Sequence, residues 1–220
     1  MAAASEVARD IVHCCRSLWN AGLIAGVDGN ISVRLGRDRL LVTPRGVLKA
    51  ELRPRDLVEV DLAGIRRKGS RQATTELDLH LRVYRQRKDC GAVVHAHPPT
   101  ATAFAVAGEG LPRDVLPEIV LLMGEVPCVP YATTGTPALG DAAEPYLARH
   151  AALLLANHGA VTWGQDLNEA RIRMESLEHA ARILLAARAL GKVSRLTREQ
   201  TDVLERMRGK SSHGQTNLGY

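Results

Sequence analysis

Two short apolar runs end in histidines, and they restrict the fold more than any other feature of this chain. Gly91-Ala-Val-Val-His-Ala-His97 stops at Pro98-Pro99, and Ala152-Leu-Leu-Leu-Ala156 enters Asn157-His158-Gly159 before Ala160-Val-Thr-Trp163. Runs this short, bounded by turn residues, read as buried strands. Side chains alternate along a strand, so His95 and His97 project from the same face. His158 occupies a tight turn between two strands, with its backbone pinned and its ring aimed off the end of the sheet. Gly159 lets the chain reverse there without a side chain in the way. Three imidazoles so arranged match an open catalytic zinc site; a structural site would use four closed ligands, usually with cysteines.

The remaining periodicities predict one α/β domain over residues 1–208. Residues 4–22 read as an amphipathic helix, with Val7, Ile11 and Leu18 in register, Ser5 as its cap, and Gly22 and Gly26 beyond it. Three alternating segments, at 31–35, 39–43 and 57–62, are joined by short turns and suggest an antiparallel arrangement. Further helices are expected at 75–87, 100–107, 137–150, from the Asp166 cap to Leu190, and at 197–208. Residues 118–130 hold apolar runs broken by Gly124, Pro127 and Pro130, and the polar stretch 209–220 reads as a flexible tail. The sheet is expected to be mixed or antiparallel, with helices on both faces. Aromatic residues make up 3% of the chain, with one Phe, so Ala, Leu and Val must fill the core.

Composition removes several functions. Cys14, Cys15, Cys90 and Cys128 form no C-x-x-C pair and read as buried reduced thiols. The net charge of +5 is scattered. Its one dense cluster, Arg66-Arg67-Lys68 with Arg71, lacks stacking aromatics and reads as a solvated loop, not a nucleic-acid surface. The excess positive charge suits encounter with anionic substrates. Nothing approaches the roughly 18 consecutive apolar residues of a membrane span, and no secretory signal is visible, so a cytoplasmic location is expected.

Glu76 stands after two threonines at a helix start. An acid there is favoured by the helix dipole alone; the functional reading makes it a displaceable metal ligand or general base. His80 follows one helical turn later, as a candidate for the layer behind the ligands. His13, His150, His179 and His213 read as surface or packing residues. Gly29-Asn30 lies in a glycine-rich loop, Thr74-Thr75 opens the helix bearing Glu76, and Arg45-Gly46 ends a strand. Together they suggest a phosphate site near the metal.

These segments resemble the class II aldolase/adducin family, in its fuculose-1-phosphate aldolase branch. The matching stretches are GLIAGVDGNISVR at 22–34, LLVTPRGV at 40–47, TTELDLH at 74–80, AVVHAHP at 92–98, VPCVPYATTGT at 126–136 and LLANHGAV at 154–161. The resemblance implies a central, mostly antiparallel sheet and a homotetramer with active sites at subunit interfaces. It implies zinc, or a similar ion such as Mn2+ or Co2+, on His95, His97 and His158. Glu76 would ligate the resting metal and act as acid/base, and Gly29, Asn30, Arg45, Gly46, Thr74 and Thr75 would hold the phosphate. The implied reaction cleaves a ketose 1-phosphate to dihydroxyacetone phosphate and an aldehyde through a metal-stabilised enediolate. Two positions depart from the aldolase pattern. Arg45 replaces a threonine, and no tyrosine precedes Val126-Pro-Cys. Glu118, 21 residues after His97, falls close to a catalytic glutamate of methylthioribulose-1-phosphate dehydratases, so it is an additional catalytic candidate and dehydration an alternative. Pentulose-phosphate 4-epimerases and sugar-acid phosphate decarboxylases share the site. Adducin-like interaction modules do not, because their ligand histidines are replaced.

Overall fold

The N-terminal amphipathic stretch forms α1 (Ala2–Asn20) in the computed structural model, which describes residues 2–211. The helix begins before the expected boundary, so Ser5 lies inside it and accepts a hydrogen bond from Arg9 at 3.3 Å, not serving as the cap. β1 (Asn30–Arg34), β2 (Arg39–Val42) and β3 (Val58–Asp61) form the expected antiparallel meander. β4 (Arg66–Lys68) extends it, which corrects the reading of this basic cluster as a loop. Arg67 and Arg71 donate to Asp61 and Asp56, each at 2.8 Å. A short, charged strand is a stable sheet edge because it discourages further pairing.

The chain continues through α2 (Leu77–Gln86), β5 (Ala92–Ala96), α3 (Pro99–Val106), α4 (Pro117–Leu122) and β6 (Cys128–Val129). It then forms α5 (Pro137–Leu147), β7 (Ala152–Leu155), β8 (Gly159–Gly164), α6 (Leu167–Ala189) and α7 (Arg198–Ser211). α7 enters the segment expected as a tail; residues 212–220, with His213, lie outside the described residues. Asp166 caps α6 as expected, accepting from the Glu169 amide at 2.8 Å.

The eight strands order as β4-β3-β2-β1-β5-β8-β7-β6, antiparallel throughout except for β6 beside β7. Strand alternation divides the core into two layers. Val94, Leu154 and Ala160 pack with α1, α3, α4 and α6, through Ile11, Phe104, Ile119 and Met174. Val93, Leu153, Leu155 and Val161 face α2 and α5, through Leu79, Val83, Tyr84, Leu139 and Leu147. Burial on both faces explains why β5 and β7 read as continuous apolar runs. Cys14, Cys15, Cys90 and Cys128 are free thiols. Burial pushes Cys15 and Cys90 up to about 12, which leaves them protonated packing groups.

Two buried ionisable groups tie helices to this frame. Glu178 of α6 is 3% exposed and accepts from the amides of Thr100 and Ala101, each at 2.9 Å. A carboxylate from another helix thus caps α3, the element that follows His97 and Pro98. Glu178→Ala should destabilise the fold by about 2 kcal/mol, read from urea unfolding; an unchanged midpoint would show the cap to be idle. His80 of α2 is fully buried, and burial lowers its pKa from 6.5 to about 4 against the pull of Glu76. The unfolded chain therefore binds this proton between those values while the folded chain does not. Stability of the metal-free protein should fall as pH drops from 6.5 toward 4, by on the order of 3 kcal/mol for this group. Urea titrations across that range should show the fall, and His80→Leu should flatten it.

Candidate active site and metal centre

The three histidines converge at one end of the central strands. β5 delivers His95, His97 follows its last residue Ala96, and the turn between β7 and β8 delivers His158. Ring centroids lie 4.9 Å apart for His95–His97, 4.7 Å for His95–His158 and 4.9 Å for His97–His158. One ligand nitrogen from each falls within 4.8 Å of the others. The left-handed residue of the turn is Asn157, at φ 57°, not Gly159. Gly159 serves close approach instead: a Cβ there would stand 2.6 Å from both the Ala96 carbonyl oxygen and the His97 ring. Gly29 is confined similarly, with a φ of +70° and a Cβ position 2.9 Å from the His95 carbonyl.

Glu76 completes the cluster. It occupies the cap position of α2, but its side chain caps nothing. The carboxylate turns inward, with Oε2 3.1 Å from His95 Nε2 and Oε1 3.1 Å from His158 Nε2. Asn30, opposite His95 in the β1–β5 register, donates its side-chain amide to Oε2 at 2.8 Å. A dipole-stabilised acid would point along its helix axis; Glu76 points at imidazoles. Burial opposes its ionisation, yet His158 at Oε1 and the Asn30 amide at Oε2 hold its pKa well below the usual carboxylate range. Burial drives His95 down to about 3 despite Glu76, so it is neutral at physiological pH. His97 is also lowered, by burial and then by His158.

The tautomer of His95 follows from its other nitrogen. Nδ1 lies 2.9 Å from the Ala160 carbonyl, which can only accept, so Nδ1 carries the proton and Nε2 is a bare lone pair. That lone pair faces a carboxylate oxygen and lies 3.1 Å from His97 Nε2. The Asp28 carboxylate, 3.6 Å from His97 Nδ1, favours a proton on that outer nitrogen and so a bare Nε2 here too. His158 Nδ1 is buried without a partner among the described residues. Acceptors facing acceptors repel unless a cation sits between them. A tetrahedral zinc site sets nitrogens about 3.3 Å apart. Three imidazoles and one carboxylate therefore fit a divalent ion.

The expected anion-site segments are neighbours. Pro44 bridges Ala73, and the Thr74 amide donates to the Thr43 carbonyl at 3.1 Å. Lys49, 1% exposed, ties the loop before Gly29 to the turn after Gly46 by donating to the carbonyls of Val27 at 2.8 Å and Val47 at 3.2 Å. Arg45, Gly46 and Thr75 are exposed, while Thr74 is buried and its hydroxyl accepts from the Glu76 amide at 3.3 Å. Asn30 makes contacts that the sequence did not suggest. It is 5% exposed, and its side chain is occupied by Glu76 and by His80, whose Nε2 lies 2.6 Å from Asn30 Oδ1. Glu118 stands exposed in the first turn of α4, a helix packed in the opposite core layer from Val93, whose face His95 shares. Sequence reasoning overlooked Lys49, Asp28 and the inward pair Ser32 and Tyr84. Only strand register and loop proximity reveal them.

Comparison with known proteins agrees with this geometry. The model of the family "Class II Aldolase and Adducin N-terminal domain" matches residues 9–185. The chain is 34% identical over 198 residues to 5-deoxy-D-ribulose 1-phosphate aldolase of Bacillus thuringiensis serovar kurstaki, covering 89% of this chain and 92% of that one. It is 35% identical over 180 residues to 3-oxo-tetronate 4-phosphate decarboxylase of Pectobacterium atrosepticum, covering 80% and 82%. A solved L-fuculose 1-phosphate aldolase superposes with a TM-score of 0.87 at 30% identity, over 92% of this chain and 95% of that one. The chain therefore belongs to the class II aldolase and adducin family, in its branch of metal-dependent lyases resembling fuculose-1-phosphate aldolase.

Proposed function

We propose that this protein cleaves a ketose 1-phosphate to dihydroxyacetone phosphate and an aldehyde. The observation that carries the reading is the Glu76 carboxylate set between His95 and His158, with His97 alongside. His95, His97 and His158 would hold a divalent ion, zinc or an equivalent such as Mn2+ or Co2+. Once bound, the ion supplies Lewis-acid stabilisation of the negative charge that develops as the carbon–carbon bond breaks. Glu76 holds and moves the proton at the hydroxymethylene carbon, a role that suits a buried carboxylate kept ionised at rest. Gly29, Arg45, Gly46, Thr74 and Thr75 bind the phosphate. Lys49 fixes two of their loops, so that binding energy from the remote group orients the reacting carbon.

A second reading has its own support. Arg45 is an exposed cation at the loop mouth, and a relative at 35% identity is a 3-oxo-tetronate 4-phosphate decarboxylase. Loss of carbon dioxide from a 3-oxo acid leaves negative charge on the same type of carbon, so the same residues would serve. Dehydration through Glu118 has weaker support: Glu118 is exposed on α4, which packs in the layer with α1, α3 and α6 and not in the layer of α2, the helix that Glu76 begins. We assign the working location to the cytoplasm, in keeping with free thiols and a phosphorylated substrate. We also infer a homotetramer with sites between subunits; exposed Val27 and Tyr131 adjoin the site segments and would be covered there. Among the described residues, no helix is long and apolar enough to cross a membrane.

A panel of ketose 1-phosphates and 3-oxo-acid phosphates, with assays for dihydroxyacetone phosphate, carbon dioxide and water loss, tests the reaction. Carbon dioxide release alone would overturn the aldolase reading. Chelation should abolish turnover, and readdition of metal should restore it. Glu76→Gln should fold normally and lose about 10²–10⁴-fold in kcat; near-normal turnover would leave Glu76 without a proton-transfer role. Gly159→Ala should push the His97 ring aside and lower metal content measured by elemental analysis; wild-type content would show that the turn tolerates the methyl group.

A further inference from the structure

A line of buried polar groups runs from the Glu76 carboxylate into the α2 side of the sheet, and the direction of each hydrogen bond from Glu76 to Ser32 is fixed. An ionised carboxylate only accepts, so Asn30 must turn its –NH2 toward Glu76, at 2.8 Å. Asn30 Oδ1 is then an acceptor, and His80 Nε2, 2.6 Å away, must carry the proton. That leaves His80 Nδ1 bare, and it accepts the Ser32 hydroxyl at 2.6 Å. Tyr84 closes the line: its hydroxyl donates to the Ser32 carbonyl at 2.8 Å and lies 3.0 Å from Ser32 Oγ. Ser32 and His80 are fully buried, and Asn30 is 5% exposed. Among the described residues, Asn30 is the one hydrogen-bond partner of the Glu76 carboxylate that is not a histidine.

This matters once the histidines are engaged elsewhere. Nitrogens that give their lone pairs to a metal ion cannot also orient Glu76 by donating to it. The Asn30 amide remains, and an amide can rotate by half a turn at little cost unless something fixes it. Flipped, it would present Oδ1 to the carboxylate and repel it.

We propose that His80 is a positioning residue for Glu76: with Ser32 it locks the Asn30 amide so that its –NH2 always faces the carboxylate. The inference rests on the proposed proton-transfer role of Glu76. It also reassigns the Asn30 side chain from phosphate binding to orientation of the acid/base.

His80→Leu removes both bonds and retains apolar bulk, and His80→Gln keeps one donor toward Asn30. His80→Leu should lower kcat by about 10–100-fold, the range seen when groups behind metal ligands are lost. The KM for the phosphorylated substrate should change by less than about threefold, because the loss concerns the reacting step. His80→Gln should recover most of the kcat. Independently of activity, the Asn30 side-chain amide protons of the metal-free protein should exchange slowly in wild type and rapidly in His80→Leu, read by nitrogen-edited NMR. Should His80→Leu fail to fold, Ser32→Ala, which deletes only the hydroxyl that fixes the His80 tautomer, takes its place with the same two expectations. Wild-type kcat together with a protected Asn30 amide in the variant would overturn the proposal, as would a rise in KM at constant kcat. An inactive wild type with the expected amide protection would instead count against the proposed reaction and leave the orientation of Asn30 established.

Discussion

At the end of the central strands the bare Nε2 atoms of His95 and His97 face each other, and that of His95 also faces the Glu76 carboxylate. His95 commits its Nδ1 proton to the Ala160 carbonyl, so its second nitrogen faces the Glu76 oxygen as a lone pair. Such a cluster is costly unless a cation occupies its centre. The surrounding fold holds it together anyway. The β1–β5 register sets Asn30 opposite His95, the β7–β8 turn carries His158 to the same point, and α2 begins where its cap residue can lean inward. Strain of this kind is typical of a site organised for a ligand that the chain does not itself contain.

Close approach is what the two flanking glycines provide. Gly159 lets the β7–β8 turn lie against the His97 ring, and Gly29 lets its loop lie against the His95 carbonyl. Both contacts put backbone where a methyl group would stand. The histidine triangle is thus narrow because the chain around it lacks side chains at two points, while Lys49 and Glu178 fasten the adjoining loops and helix from behind.

The convergence of the three histidines was legible in the sequence because strand alternation and a tight turn are local properties. H-x-H needs only a period of two to aim both rings together, and N-H-G needs only one turn. Glu76 was half legible: an acid at a helix start has a dipole explanation, and only the inward rotation of its side chain separates the two readings. The inward contacts of Asn30 were not legible because a residue after Gly29 looks free, whereas it is the first residue of β1 and faces His95 across the sheet. Ser32, Tyr84 and Lys49 were invisible for a related reason. Their partners lie far along the chain, and a serine in an alternating strand carries no sign that its hydroxyl meets a histidine one strand-to-helix crossing away. The basic edge strand escaped notice because charge suggests solvent, and solvent is also where an edge strand lies.

The neutrality of the line behind Glu76 bears on what the carboxylate can do. An arginine or lysine in place of Asn30 would orient Glu76 more strongly, but its positive charge would favour the anion and weaken it as a base. An amide donates one directed hydrogen bond and brings no net charge. His80, buried and neutral, passes that directionality back to Ser32 without adding charge either. Orientation is thereby separated from acidity: the chain fixes where the carboxylate points, and the occupancy of the neighbouring histidine cluster decides how readily it takes up a proton. In the proposed role, where Glu76 ligates an ion at rest and accepts a proton during turnover, a row of uncharged hydrogen-bonding side chains supplies that separation.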